Sequence, residues 1–199
     1  MGPLISARQL RAVEEVVDEA VAPGGPGRLV CGGRRMRHRS ALDGTDLSRG
    51  HFYPPTVVAS SSSGGDGDGI TTSRLWRDEV FGPVVALVGF ETEAEAIALA
   101  NDSDYGLGAA IWTQDLAQAF RVSAAITSGI VWVNTHHRND PSSPWGGATS
   151  ASGVGSENGL DAYHAYTTTK SIVVNYASND QSLAADDWFR EDAEDVRYG

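Results

Sequence analysis

Leu75-Trp76-Arg77-Asp78-Glu79-Val80-Phe81-Gly82-Pro83-Val84-Val85-Ala86-Leu87-Val88-Gly89-Phe90 is the stretch from which the fold is read. At its centre a pair of acids and an aromatic precede Gly82-Pro83, and an apolar run follows. Gly-Pro is a strong turn signal, and a β-branched run behind it predicts a short buried strand over residues 84–88. An acid and an aromatic just ahead of a buried strand suit a ligand site, the carboxylate accepting hydrogen bonds and the ring stacking. The same residues also make an ordinary turn with a solvated acid, the commoner case for Asp and Glu.

Composition bounds what surrounds this stretch. A chain of 199 residues is one domain or part of a larger one. With 41% hydrophobic residues it can bury a sizeable core. Fifteen Lys and Arg against 26 Asp and Glu leave a net charge of −11, which argues against nucleic acid or an anionic membrane as partner. Cys31 is the sole cysteine, so neither an internal disulfide nor a paired-cysteine metal site is expected. No apolar run approaches the ~20 residues of a membrane span, and the first residues lack the apolar core of a secretion signal. The expected location is cytoplasmic.

Taken in order, Ser6 is a candidate N-cap for a helix over residues 7–22, with Leu10, Val13, Val16, Val17 and Ala20 on one stripe. The stretch Arg28-Leu29-Val30-Cys31 predicts a strand that encloses Cys31. Five arginines (Arg34, Arg35, Arg37, Arg39, Arg49) surround His38, a pattern that fits a solvated loop better than an anion cradle. Residues 60–69, serine followed by Gly and Asp, cannot bury apolar surface and read as a flexible insertion.

Beyond Glu79 the chain alternates. Thr92 caps a helix over residues 93–101 with Ala94, Ile97 and Ala98 facing inward, and a strand follows at 106–112. Asp115 caps the next helix, and a buried strand follows at 129–134. Strands alternating with helices predict an α/β fold, mostly a parallel sheet flanked by helices. Residues 135–152 form a long polar loop, usually a functional feature. His136 and His137 lie there without the further ligands that a metal site needs, so no metal is expected. A short helix at 159–166, a strand at 170–176 and an acidic tail over 177–199 complete the chain.

Several ordered segments resemble the aldehyde dehydrogenase superfamily, in its C-terminal part. They are Met1-Gly2-Pro3-Leu4-Ile5, Cys31-Gly32-Gly33, Glu79-Val80-Phe81-Gly82-Pro83-Val84, Tyr105-Gly106-Leu107, Pro144-Trp145-Gly146-Gly147 and Thr169-Lys170-Ser171. The tail, with Asp187-Trp188-Phe189-Arg190, looks like that of fungal NAD(P)-dependent members. The resemblance implies that residues 1–176 are part of a catalytic domain, with 172–176, Ile172 through Tyr176, as a C-terminal oligomerisation strand.

It further implies NAD or NADP as cofactor and a small aldehyde as substrate. Glu79 matches the acid that holds the nicotinamide-ribose hydroxyls, Phe81 the aromatic beside the nicotinamide, and Trp145 an aromatic of the substrate pocket. The family oxidises aldehydes to carboxylic acids with a thiolate nucleophile, a hydride acceptor and a base-activated water. None of these three has a counterpart among the 199 residues, and Cys31 does not match the nucleophile. The pattern also departs at Gly147-Ala148-Thr149-Ser150, which lacks the family's lysine, and at Ser156, where the family has arginine. The expectation is an aldehyde dehydrogenase-like chain without catalytic residues of its own, truncated and inactive alone. The alternatives are a non-catalytic remnant that associates with a full-length relative as a homo- or hetero-oligomer, or a small-ligand binder.

Overall fold

A computed structural model describes residues 1–61 and 69–174. Helix α1 (Ala7–Val21) starts where Ser6, in extended backbone, accepts the Gln9 amide on its hydroxyl at 3.1 Å. This satisfies one of the free N–H groups of the first turn. The five stripe residues Leu10, Val13, Val16, Val17 and Ala20 are all buried, and they pack with Tyr53, Val58, Ile70 and Leu75 into the core. Strands β1 (Gly27–Cys31), β2 (Thr56–Ser60) and β3 (Val84–Leu87) form one sheet in that order, β1 antiparallel and β3 parallel to β2. The short helix α2 (Arg74–Arg77) lies on the crossover that a parallel pair requires.

The strand expected to be buried over 84–88 is half bare. Val84 and Ala86 pack on the core, whereas Val85 is 58% and Leu87 55% exposed. Side chains alternate across a strand, and α1 supplies a layer to one face only. Cys31, expected to be shielded within its strand, is exposed. β1 is the sheet's edge, and only Gly27 of its five residues is buried.

A second βαβ unit follows. Helix α3 (Glu93–Asn101) leads to β4 (Gly108–Ile111), α4 (Leu116–Ala125) and β5 (Ile130–Val133), with β4 and β5 parallel. Thr92 accepts the Glu95 amide at 3.2 Å, and Asp115 accepts those of Ala117 and Gln118 at 2.9 and 3.2 Å. Ala94 and Ala98 do not face inward as expected, and α3 buries no residue. Of β5 only Trp132 is buried.

Polar clamps hold this unit together. Asn101 donates to the Ala125 carbonyl and accepts from the Thr127 amide, both at 2.8 Å. Glu93 accepts from Arg121 through both carboxylate oxygens, at 2.6 and 2.7 Å, and from Gln118 at 3.1 Å. The Arg121 bonds first, then Gln118, hold the Glu93 carboxyl down at about 2 against an ordinary 4.5. A carboxyl lowered in the folded state stabilises the fold above its unfolded value and stops doing so as pH falls through the folded one. The α3–α4 clamp should therefore be lost between pH 4.5 and about 2. Melting followed by circular dichroism across that window should show a shallower acid dependence in Glu93→Gln. Equal slopes in the two proteins would rule the clamp out.

Two short antiparallel strands, β6 (Trp145–Gly146) and β7 (Ser156–Glu157), and helix α5 (Gly159–Ala165) close the first compact unit, Met1–Ala165. The architecture is α/β with mixed ladders: two parallel and two antiparallel pairs among the described residues. The second unit is Tyr166–Gly199, of which 166–174 are described. The oligomerisation strand expected at 172–176 is not formed at Ile172, Val173 or Val174, which are exposed and lie in no strand. Asn175 and Tyr176, the insertion residues 62–68 and the tail lie outside the described residues. Among the described residues no helix is long and apolar enough to cross a membrane.

Candidate functional site

The turn over residues 78–83 is held from several sides. Its first acid is engaged, since Asp78 accepts from Arg74 at 3.2 Å. Arg77, next in sequence, pairs with both carboxylate oxygens of Asp102 at 3.0 and 2.7 Å and so anchors α2 to the end of α3. Glu79 is exposed and enters no hydrogen bond or ion pair among the described residues. The two acids are thus sorted, one structural and one free.

Phe81 adopts φ 47°, in the left-handed region, and the residue is 74% exposed. For a bulky non-glycine residue this backbone costs on the order of 1–3 kcal/mol and persists only where surroundings impose it. Gln9 of α1 imposes it: its side-chain amide donates to the carbonyls of Val80 at 2.8 Å and Phe81 at 3.1 Å. Gly82 lets helix and turn approach, because a Cβ there would stand 2.7 Å from Val13 Cγ2. The Thr56 amide donates to Pro83 at 2.8 Å and ties the turn to β2. Glu79 and Phe81, singled out from the sequence, therefore stand on one clamped turn. A free carboxylate there can accept two hydroxyl donors of a diol, and a ring two residues on offers an apolar face.

Trp145 lies elsewhere. It is half-buried on β6, opposite Glu157 of β7, and lines a cavity of about 300 Å³ with Leu107, Val154 and Glu157. Its Nε1 is buried without a hydrogen-bond partner among the described residues. Neither Glu79 nor Phe81 lines this cavity. His136 and His137 touch through their Nδ1 atoms at 2.6 Å, and His137 stacks on Trp132 at 5.7 Å. One imidazole must carry the shared proton while the other accepts, so the rings are engaged with each other and with tryptophan. Among the described residues no group of three or more His, Cys, Asp or Glu could hold a metal. Cys31 lies 3.9 Å from the Pro55 carbonyl. Gln9 is the site residue that sequence reasoning passes over, being 71 positions from the turn it clamps. Its place on α1 beside the core stripe is the one available signal.

Residues 1–172 match the aldehyde dehydrogenase family. Betaine aldehyde dehydrogenase of Cereibacter sphaeroides is 43% identical over 174 residues, which is 87% of this chain and 32% of that protein. The peroxisomal aminoaldehyde dehydrogenase 1 of Pisum sativum is 37% identical over 180 residues, 90% of this chain and 32% of its own. Among solved structures, the Mycobacterium tuberculosis aldehyde dehydrogenase complexed with NAD+ superposes with a TM-score of 0.72 at 36% identity, covering 88% of this chain and 32% of that one. A Burkholderia cenocepacia structure described as a putative aldehyde dehydrogenase gives 0.73 at 38% identity, covering 90% and 33%. The chain thus spans about a third of the length of the relatives it matches. With the clamped Glu79–Phe81 turn and its ordered neighbours, this match establishes that the chain belongs to the aldehyde dehydrogenase family.

Proposed function

We propose that this chain supplies the nicotinamide-end contacts of an NAD(P)-dependent oxidation of a small aldehyde to its carboxylic acid. Glu79 accepts the hydroxyls of the nicotinamide ribose, Phe81 packs beside the nicotinamide, and Trp145 walls the aldehyde pocket. When bound, the cofactor supplies the hydride acceptor, and this chain's residues orient it. The observation that carries the reading is the clamp of Gln9 on the left-handed turn at Phe81, a turn that carries both an exposed carboxylate and an exposed aromatic. Strain of that kind at an exposed aromatic suits ligand contact better than stability.

The test places the chain in an otherwise complete enzyme, replacing the matching third of the Cereibacter sphaeroides betaine aldehyde dehydrogenase. A hydrogen-bonded carboxylate is worth on the order of 1.5–3 kcal/mol, or roughly 10–150-fold. Glu79→Gln should raise the KM for NAD by about that factor while the melting temperature holds. Unchanged kinetics in Glu79→Gln and Phe81→Ala together would count against the assignment.

Association belongs to the same proposal. Ile172, Val173 and Val174 are 75, 93 and 69% exposed, and β-branched residues suit addition to another subunit's sheet. Light scattering on the chimera should give an oligomer that Val174→Lys shifts toward monomer. A monomer in both proteins defeats the idea.

A further inference from the structure

The connection from β1 to β2 carries charge of the opposite sign to the whole chain. The net charge is −11, yet no Asp or Glu occurs between Glu19 and Asp43. Arg34, Arg35, Arg37 and Arg39 crowd into the end of that gap, so arginine stands one, three, five and six residues ahead of Ser40. Thr45 and Ser48, the other serine and threonine of the connection, each have an aspartate two residues ahead instead.

The structure presents this stretch at the surface. Residues 34–38 lie in no helix or strand, and the one ladder contact beside Ser40 is the isolated bridge from Arg39 to Asp46. Residues 41–46 are all exposed, Leu42 at 98%. Arg37 is exposed and enters no hydrogen bond or ion pair among the described residues. Arg35 is committed, donating to the Gly50 carbonyl at 3.1 Å. Ser40 opens the turn half-buried: its Oγ accepts the Leu42 amide at 3.2 Å, and its own amide donates to the Thr45 carbonyl at 2.8 Å. Asp43 accepts the Thr45 amide at 3.1 Å. The Ser40 hydroxyl, and after it Thr45, hold the Asp43 carboxyl below its ordinary value.

We propose that Ser40 is a phosphorylation site for a serine/threonine kinase with an acidic substrate groove, and that the phosphate opens the turn over residues 40–45. Kinases select substrates by their charge pattern, and arginine meets a carboxylate through two parallel hydrogen bonds. The kinase's carboxylate takes the Ser40 proton while Oγ bonds to the γ-phosphorus of ATP. The bond from that phosphorus to the β,γ-bridging oxygen breaks, and ADP leaves. The phosphoserine carries about −1.5 to −2 charges at neutral pH. It then faces the like charge of Asp43, with the open Arg37 guanidinium on its other side, so the turn bonds at Leu42 and Thr45 are the ones to give way. None of this depends on the cofactor reading.

The experiment incubates the purified 199-residue chain with Mg²⁺-ATP and the catalytic subunit of the cyclic-AMP-dependent kinase, and in parallel with a kinase that selects acidic substrates. Tandem mass spectrometry should locate a phosphate on Ser40 with the first enzyme and none there with the second. Arg37→Gln removes a side chain without partners, so the melting curve holds, while kcat/KM for phosphorylation falls roughly 10–150-fold. Hydrogen exchange at the Leu42 and Thr45 amides should be faster in the phosphorylated chain. A chain left unmodified at Ser40 overturns the site. So does phosphate placed on Thr45 or Ser48 in its stead, or a rate indifferent to Arg37→Gln. Unchanged exchange at Leu42 and Thr45 overturns the opening of the turn.

Discussion

Gly129→Ala should lower stability by about 3 kcal/mol, at the upper end for an overpacked site, and the melting temperature by roughly 6–12 °C for a chain of this size. The reason is space and not backbone freedom, since Gly129 does not occupy the left-handed region. A Cβ at this position would stand 1.5 Å from the carbonyl oxygen of Gly146 and 2.7 Å from its carbon. Both obstacles are main chain, so no side chain can turn aside. Gly146 in turn lies against Gly155, whose carbonyl oxygen would be 2.5 Å from an added Cβ. The start of β5, strand β6 and the approach to β7 are therefore layered at backbone contact. Forcing them apart moves Gly146 and, with it, its neighbour Trp145. Gly89→Ala is the control, because an added Cβ there meets nothing within 4 Å, and a change within about 0.5 kcal/mol is expected. Calorimetry gives the stabilities, and tryptophan emission reports the disturbance near Trp145. A Gly129→Ala protein that melts with the parent would show that the two strands are not in contact.

How far the sequence reveals this arrangement depends on which force places each residue. Local signals are legible. Ser6, Thr92 and Asp115 each cap the helix that follows, because a short polar side chain satisfies free amides two or three residues on. The α1 stripe is legible because one face is apolar and the other charged. α3 is not: Ala94, Ala96, Ile97, Ala98, Leu99 and Ala100 run all round the helix, so periodicity selects no face, and its inward residues were misplaced. The strand after Gly82-Pro83 is correctly located, but its burial depends on how many layers cover the sheet, which a run of valines does not encode. Cys31 fails for a similar reason, since edge or centre is a property of strand order.

The candidate site divides in the same way. Glu79, Phe81 and Trp145 were legible through resemblance to a family whose segments recur in order. What keeps Phe81 in its turn was not, because Gln9 reaches it across 71 positions and nothing in residues 75–90 calls for a partner. The distinction between Asp78 and Glu79 was equally hidden. It follows from Arg74, four residues before Asp78 on α2, which pairs with Asp78 and with Glu19 of α1 but not with Glu79.

As a free polypeptide the 199-residue chain should show no turnover of aldehydes with NAD or NADP, and Cys31→Ser should change nothing. An enzyme of this kind must supply a thiolate to attack the carbonyl carbon, a group to activate water, and a held hydride acceptor. Acceleration over the uncatalysed reaction is typically 10⁶-fold or more, so a polypeptide tested without these parts is expected to show no turnover rather than a reduced one. Cys31 is the sole thiol. It lies at the end of an edge strand, and the Pro55 carbonyl near its sulfur can accept from a thiol but offers no hydrogen bond to a thiolate. Among the described residues no acid or base side chain hydrogen-bonds to it. Glu79 stands free on its turn, suited to accepting hydroxyls, but a carboxylate makes a poor nucleophile toward an aldehyde. The check is to incubate the purified chain with each cofactor and a panel of aliphatic and aromatic aldehydes, following absorbance of the reduced form. Flat traces in parent and Cys31→Ser are expected. Steady reduction that vanishes in Cys31→Ser would make Cys31 the nucleophile after all. Reduction that survives the substitution would require chemistry from residues assigned here to binding.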